Sequence, residues 1–143
     1  MNGLHLIGDL GGCRCDPQLL LDGAGFRSKC LEFVSASGLT TMDATFHQFE
    51  GSGFTGTVVL AESHLAIHTW PERQGLTLDV YVCNYSDDNS AKARKLFDSI
   101  VGYFQPAEIA RHEVERGGHL LMEPLNDSTG FYIKASRQIG EWQ

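Results

Sequence analysis

Gly56-Thr57-Val58-Val59-Leu60-Ala61 runs straight into Glu62-Ser63-His64-Leu65-Ala66-Ile67-His68-Thr69-Trp70-Pro71-Glu72, and Leu76-Thr77-Leu78-Asp79-Val80-Tyr81-Val82 follows with Cys83 behind it. The outer runs are short and rich in β-branched and apolar residues, which reads as strand. Between Ser63 and Cys83 the same stretch carries a hydroxyl, two imidazoles, a carboxylate and a thiol. Strand interiors ordinarily avoid such groups, because each buried polar side chain must find a partner or cost a few kcal/mol. Their density marks a site built on strands.

Upstream of this stretch, Leu39 to Phe49 is rich in Thr and aromatic residues and reads as another strand, closed by the turn cluster Glu50-Gly51-Ser52-Gly53. So short a connection pairs it with the following run as an antiparallel hairpin. Leu4 to Leu10 alternates as a first strand and stops at Gly11-Gly12. Asp16-Pro17 is a helix-start signal. From Gly25 to Gly38, Phe26, Cys30, Phe33 and Val34 recur at helical spacing, with Cys30 as a small core residue and Gly38 as the C-terminal cap. Ser86 to Ser90 supplies a loop and an N-cap for a second helix with Ala93, Leu96, Phe97, Ile100, Val101 and Phe104 on one face, closed by Pro106. Residues 107–115 form a last strand before Gly117-Gly118, and 119–143 read as an irregular tail. The expected fold is α+β: a single domain over 1–143, a two-layer sandwich of an antiparallel sheet with helices on one face. The other sheet face then wants covering, which a homodimer provides.

A chain of 143 residues is long enough to bury a core without crosslinks. The net charge of −7 disfavours a nucleic-acid partner and suits a small cationic substrate. That preference is mild, since salt screens surface fields beyond about 8 Å. No stretch approaches the roughly 18 to 20 apolar residues of a membrane span, and the N-terminus lacks the basic and apolar regions of a signal peptide, so the expected location is cytoplasmic. Cys13, Cys15, Cys30 and Cys83 are too unevenly placed for a secreted disulfide scaffold and are expected as thiols.

Spacing leaves several chemistries open. On a regular strand Ser63 and His68, five apart, point to opposite faces, so the chain must bend for them to cooperate. His64 and His68 share a face, which invites a zinc site completed by Cys13 and Cys15, although Cys-x-Cys is not a usual ligand spacing. Ser63 as a hydrolase nucleophile with His68 as base lacks both a glycine-flanked elbow and a placed acid.

The stretch Glu62-Ser63-His64, Ile67-His68-Thr69-Trp70-Pro71-Glu72 and Asp79-Val80-Tyr81-Val82-Cys83 resembles the processing and active-site signature of the short prokaryotic S-adenosylmethionine decarboxylases. Thr45-Phe46-His47-Gln48-Phe49 matches a further motif of that family, and the likeness runs from about His5 to Gly117. The resemblance implies a proenzyme that cuts itself between Glu62 and Ser63 into a β chain, 1–62, and an α chain, 63–143, headed by a pyruvoyl group derived from Ser63. It implies that Ser63 attacks the Glu62 carbonyl, that His68 is the processing base, and that Cys83 donates the proton after decarboxylation through a Schiff base to the pyruvoyl carbonyl. It assigns Phe49, Thr55, Leu65 and Glu72 to the substrate. The implied product is decarboxylated S-adenosylmethionine for spermidine synthesis, made by a homodimer of αβ units.

Three departures from the family pattern touch the pocket: Gly11 where a large aromatic is usual, Thr55 for a serine, and Asn84 for the glycine after the cysteine. They keep a pyruvoyl arginine or ornithine decarboxylase open as an alternative, with a non-catalytic zinc-binding domain as a second.

Overall fold

The computed structural model describes residues 2–118. In chain order it contains β1 (Gly3–Gly11), α1 (Gln18–Leu21), α2 (Gly23–Ser37), β2 (Thr41–Gln48), β3 (Phe54–Leu60), β4 (Ser63–Trp70), a 3-10 turn (Pro71–Arg73), β5 (Gly75–Cys83), α3 (Ser90–Phe104) and β6 (Glu108–Arg116). The strands form one sheet in the order β2-β3-β4-β5-β1-β6. Every neighbouring pair is antiparallel. The expected tail, 119–143, lies outside the described residues.

Alternation decides which side of the sheet is dry. Leu4, Leu6 and Leu10 of β1, Leu65 and Ile67 of β4, and Leu78, Val80 and Val82 of β5 are all buried against the helices. Phe26, Cys30 and Val34 of α2 and Leu96, Phe97 and Ile100 of α3 meet them from the other layer. This is the expected two-layer α+β sandwich. Cys30 is fully buried, and burial pushes its thiol up to about 12, so it behaves as a small apolar residue.

Phe26 is the centre of the aromatic packing. It is fully buried, and the rings of Phe104, Phe54, Tyr103 and Phe46 lie with centroids 5.4, 5.6, 5.8 and 6.0 Å from its own. Phe26→Ala is expected to lower the unfolding free energy by about 3–5 kcal/mol, the usual cost of such a cavity. Urea denaturation followed by circular dichroism checks this, and a change under 1 kcal/mol, roughly the scale of a surface substitution, would contradict the packing described.

The helix starts differ from expectation. Asp16 does cap a turn, its Oδ1 accepting from the Gln18 N–H at 3.0 Å, but that helix is α1 and lasts one turn. Asp22, with φ −102° and ψ 87°, breaks the chain there and caps the longer α2 through a 2.9 Å bond from the Gly25 N–H. The sequence reading began this helix at Gly25, two residues late, and did not single out Asp22 as its cap. The α2 end is as expected, with Gly38 left-handed at φ 89°.

The side of the sheet away from the helices carries the polar set: His5 and Asp9 from β1, Asp79, Tyr81 and Cys83 from β5, His64 and His68 from β4, and Thr55 from β3. No described element covers it. Among the described residues no helix is long and apolar enough to cross a membrane.

Candidate active site

The β3–β4 hairpin turns at Ala61-Glu62, and this turn is tied down on both sides. The Ala61 N–H donates to the Thr40 carbonyl at 2.9 Å, and the Thr40 N–H returns a 3.0 Å bond to Glu62 Oε1. The Glu62 carbonyl oxygen accepts from the Cys83 N–H at 2.7 Å. Ser63 lies opposite Val82 in the β4–β5 ladder, so the register brings the Glu62–Ser63 peptide bond beside Cys83. Ser63 itself has φ 157°, a backbone angle that an L residue rarely adopts and that costs about 1–3 kcal/mol.

Cys83 is held from behind by the loop that leads into α3. Asn89 Nδ2 donates to the Cys83 carbonyl at 2.9 Å, and Asn84 Oδ1 accepts from the Asn89 N–H at 2.8 Å. Asn84 Nδ2 reaches Ser90 Oγ at 3.2 Å. Asn84, one of the departures from the family pattern, therefore braces the segment that fixes Cys83.

A second set of groups adjoins Ser63. Its Oγ lies 3.3 Å from His64 Nδ1. His64 Nε2 faces Asp79 Oδ1 at 3.7 Å, within ion-pairing range but beyond a hydrogen bond, and the same oxygen accepts from His5 Nε2 at 3.1 Å. Arg116 donates to His5 Nδ1 at 3.2 Å and lies over the Tyr81 ring, 4.3 Å from its centroid. The ligand atoms of His5, His64 and Asp79 fall within 4.8 Å of one another. The guanidinium behind them opposes a bound cation, and the set reads as a polar relay, hydrogen-bonded from Arg116 through His5 to Asp79 and electrostatic from Asp79 to His64.

His68 is somewhere else. Its Nδ1 is 3.0 Å from Thr55 Oγ1 on β3, and its ring is 6.0 Å from that of Trp70. The expected bend between Ser63 and His68 does not occur: β4 pairs without interruption on both sides, so five residues of strand, about 17 Å, separate the two. Of the residues assigned to the substrate, Phe49, Thr55 and Glu72 lie on the His68 side. Glu72 is exposed in the 3-10 turn and shares a depression with Trp70 and Arg73. Phe49 is 48% exposed beyond the end of β2, packed edge-to-face on His47. Gly11 borders a cavity of ≈ 540 Å³ with Asp9, Trp70, Arg73 and Glu108, and a Cβ at position 11 would meet nothing within 4 Å.

Leu65 is fully buried with its side chain in the helix-facing core, so only its backbone is available to a substrate. The four zinc ligands of the alternative reading are not gathered: the Cys13 N–H bonds the Gln74 carbonyl just before β5, whereas His64 sits opposite Tyr81 near that strand's far end. Burial, followed by the neighbouring Cys15, pushes the Cys13 thiol up to about 11, away from the thiolate a metal would need.

The family model described as S-adenosylmethionine decarboxylase matches residues 4–117. The chain belongs to the S-adenosylmethionine decarboxylase family. It is 37% identical over 133 residues to the S-adenosylmethionine decarboxylase proenzyme of Aquifex aeolicus, covering 88% of this chain and 87% of that protein. It is 36% identical over 115 residues to the proenzyme of Hydrogenobaculum sp., covering 80% of this chain and 81% of that one. The crystal structure of the adenosylmethionine decarboxylase from Aquifex aeolicus superposes with a TM-score of 0.71 at 36% identity, over 87% of this chain and 97% of that chain. The Hydrogenobaculum relative and the Aquifex aeolicus one of 37% identity are proenzymes, and this chain has its unusual backbone angle of φ 157° at Ser63, beside the hairpin turn. Nothing among these relatives of the decarboxylase supports the arginine, ornithine or zinc alternatives.

The sequence reading of this decarboxylase singled out Ser63, His68 and Cys83 as candidates but not the pairing of Ser63 with His64, nor Asp79 and His5 behind it. A signal did exist. Asp79 is the one charged residue of β5, and alternation alone puts it on the same face as Cys83.

Proposed function

We propose that this chain is a self-processing, pyruvoyl-dependent S-adenosylmethionine decarboxylase acting in the cytoplasm on the path to spermidine. The observation that carries the reading is the Glu62 carbonyl held at 2.7 Å by the Cys83 N–H, with a serine next in the chain. Ser63 Oγ attacks that carbonyl carbon, and the Cys83 N–H stabilises the negative charge growing on its oxygen. Expulsion of the Ser63 nitrogen converts the amide to an ester and relieves the backbone strain at Ser63. Removal of the Ser63 α-proton by His68 expels the Glu62 carboxylate and leaves a dehydroalanine, which water converts to the pyruvoyl group with loss of ammonia. That group supplies an electron sink for loss of carbon dioxide.

Cys83 Sγ then holds the proton that replaces the departing carboxylate. Glu72 accepts hydrogen bonds from the ribose hydroxyls, Phe49 offers its exposed ring to the adenine, and Thr55 fixes the His68 imidazole. The negative net charge favours the sulfonium cation. Since about 17 Å of strand lies between Ser63 and His68, the proposed site is shared by a homodimer of αβ units with their uncovered sheet faces together. Two-fold symmetry then sets the Ser63 end of one protomer over the His68 end of its partner.

Intact mass of freshly purified protein tests the first half: fragments 1–62 and 63–143, the latter trapped by hydrazine, are expected, and a permanently intact chain sinks the reading. Carbon dioxide release from S-adenosylmethionine, with arginine and ornithine as controls, tests the substrate. Cys83→Ala keeps the backbone donor, so it is expected to cut normally yet decarboxylate about 10²–10⁴-fold more slowly. Failure of Cys83→Ala to cut would show that the side chain, rather than the N–H, serves processing.

A further inference from the structure

We infer that His64, oriented by Asp79, is the group that takes the Ser63 hydroxyl proton in the first step of self-cleavage, separate from the later α-proton abstraction. This rests on the self-cleavage reading above and assigns its opening step. The geometry is that of a nucleophile, a base and an orienting carboxylate: Ser63 Oγ to His64 Nδ1 at 3.3 Å, and His64 Nε2 to Asp79 Oδ1 at 3.7 Å. The Asp79 carboxylate, too far for a hydrogen bond, still favours by its field the tautomer with the proton on His64 Nε2, which leaves the Nδ1 lone pair facing Ser63 Oγ. Asp79 is itself fixed by His5 Nε2 at 3.1 Å, and His5 by Arg116 at 3.2 Å, so the relay runs back to β6. His68 cannot serve from the same protomer, being five strand residues away and already engaged with Thr55.

The proton balance closes within these atoms. His64 Nδ1 accepts the Oγ proton as the Oγ–C bond to Glu62 forms, and the imidazolium returns that proton to the Ser63 nitrogen as the C–N bond breaks. The product is the ester with a free α-amino group and a neutral His64. No oxidant or co-reactant enters. The two histidines thus divide the work, and blocking each one strands a chemically different species.

Freshly translated precursor, followed by denaturing gel with and without hydroxylamine, separates the two steps, since hydroxylamine cleaves an ester but not an amide. The wild type is expected to cut. His64→Ala is expected to cut at least about 10²-fold more slowly, to hold no hydroxylamine-sensitive bond, and to regain cutting with added imidazole. His64→Gln keeps a hydrogen-bonding side chain of similar reach but takes no proton, and is expected to be equally slow. Asp79→Asn is expected to slow the same step by about ten-fold, with partial recovery in Asp79→Glu. Cutting at the wild-type rate in His64→Gln, accumulation of ester in His64→Ala, or no response of His64→Ala to imidazole would each overturn the inference. A wild type that never cuts would overturn the self-cleavage reading instead.

Discussion

A Ser63→Ala chain is expected to remain one uncut polypeptide of 143 residues with no measurable decarboxylation, while the wild type separates into 1–62 and 63–143. The effect is all-or-none because a methyl group has neither an oxygen to attack the Glu62 carbonyl nor a leaving group for the elimination that follows. Loss of fold does not explain such a result. Ser63 is only half-buried and its hydroxyl bonds only His64, so the substitution forfeits one hydrogen bond, about 0.5–1.5 kcal/mol. The hairpin keeps its ties to Thr40 and Cys83, which run through Ala61 and Glu62. Denaturation midpoints close to those of the wild-type precursor, together with an uncut band on a gel, are the expected pair of results. A processed and active Ser63→Ala protein would refute the pyruvoyl assignment outright.

Co-expression of Ser63→Ala with His68→Ala is expected to restore cutting that neither shows alone. If the site is shared, a mixed dimer contains one intact combination: the Ser63 of the His68→Ala chain beneath the His68 of the Ser63→Ala chain. Random pairing of equal amounts would place about half of the His68→Ala chains in such dimers, so about half of them should be cut. Distinct affinity tags identify which chain is cleaved. Cleavage confined to the His68→Ala chain fits the shared site, and no cleavage in a demonstrated mixed dimer would place the α-proton base within one protomer. The same experiment bears on the substrate pocket, because Thr55, Trp70 and Glu72 lie at the His68 end.

The strands and helices were legible because alternation and helical period are local properties: the run Leu76 to Cys83 has one buried and one polar face whatever it pairs with. The family likeness was legible for a similar reason, since the Ser63, His68 and Cys83 motifs are contiguous in the chain. Asp22 was not, because its capping role depends on a break in φ and ψ that Gly23 and Gly25 merely permit. The burial of the Leu65 side chain was not weighed in the sequence, because a family likeness names a position without saying which side of the sheet its side chain faces.

The amino-acid sequence by itself determined the α+β fold class and the family, and pointed to the bond at Glu62–Ser63 as the expected place of chemistry. Tertiary structure alone decided which residues meet. Antiparallel pairing of β4 with β5 sets the Cys83 N–H on the Glu62 carbonyl and brings Asp79 to His64, and pairing of β1 with β5 adds His5, 74 positions from Asp79. The same straight strand keeps His68 about 17 Å from Ser63, because extended backbone advances about 3.3 Å per residue and cannot fold back on itself.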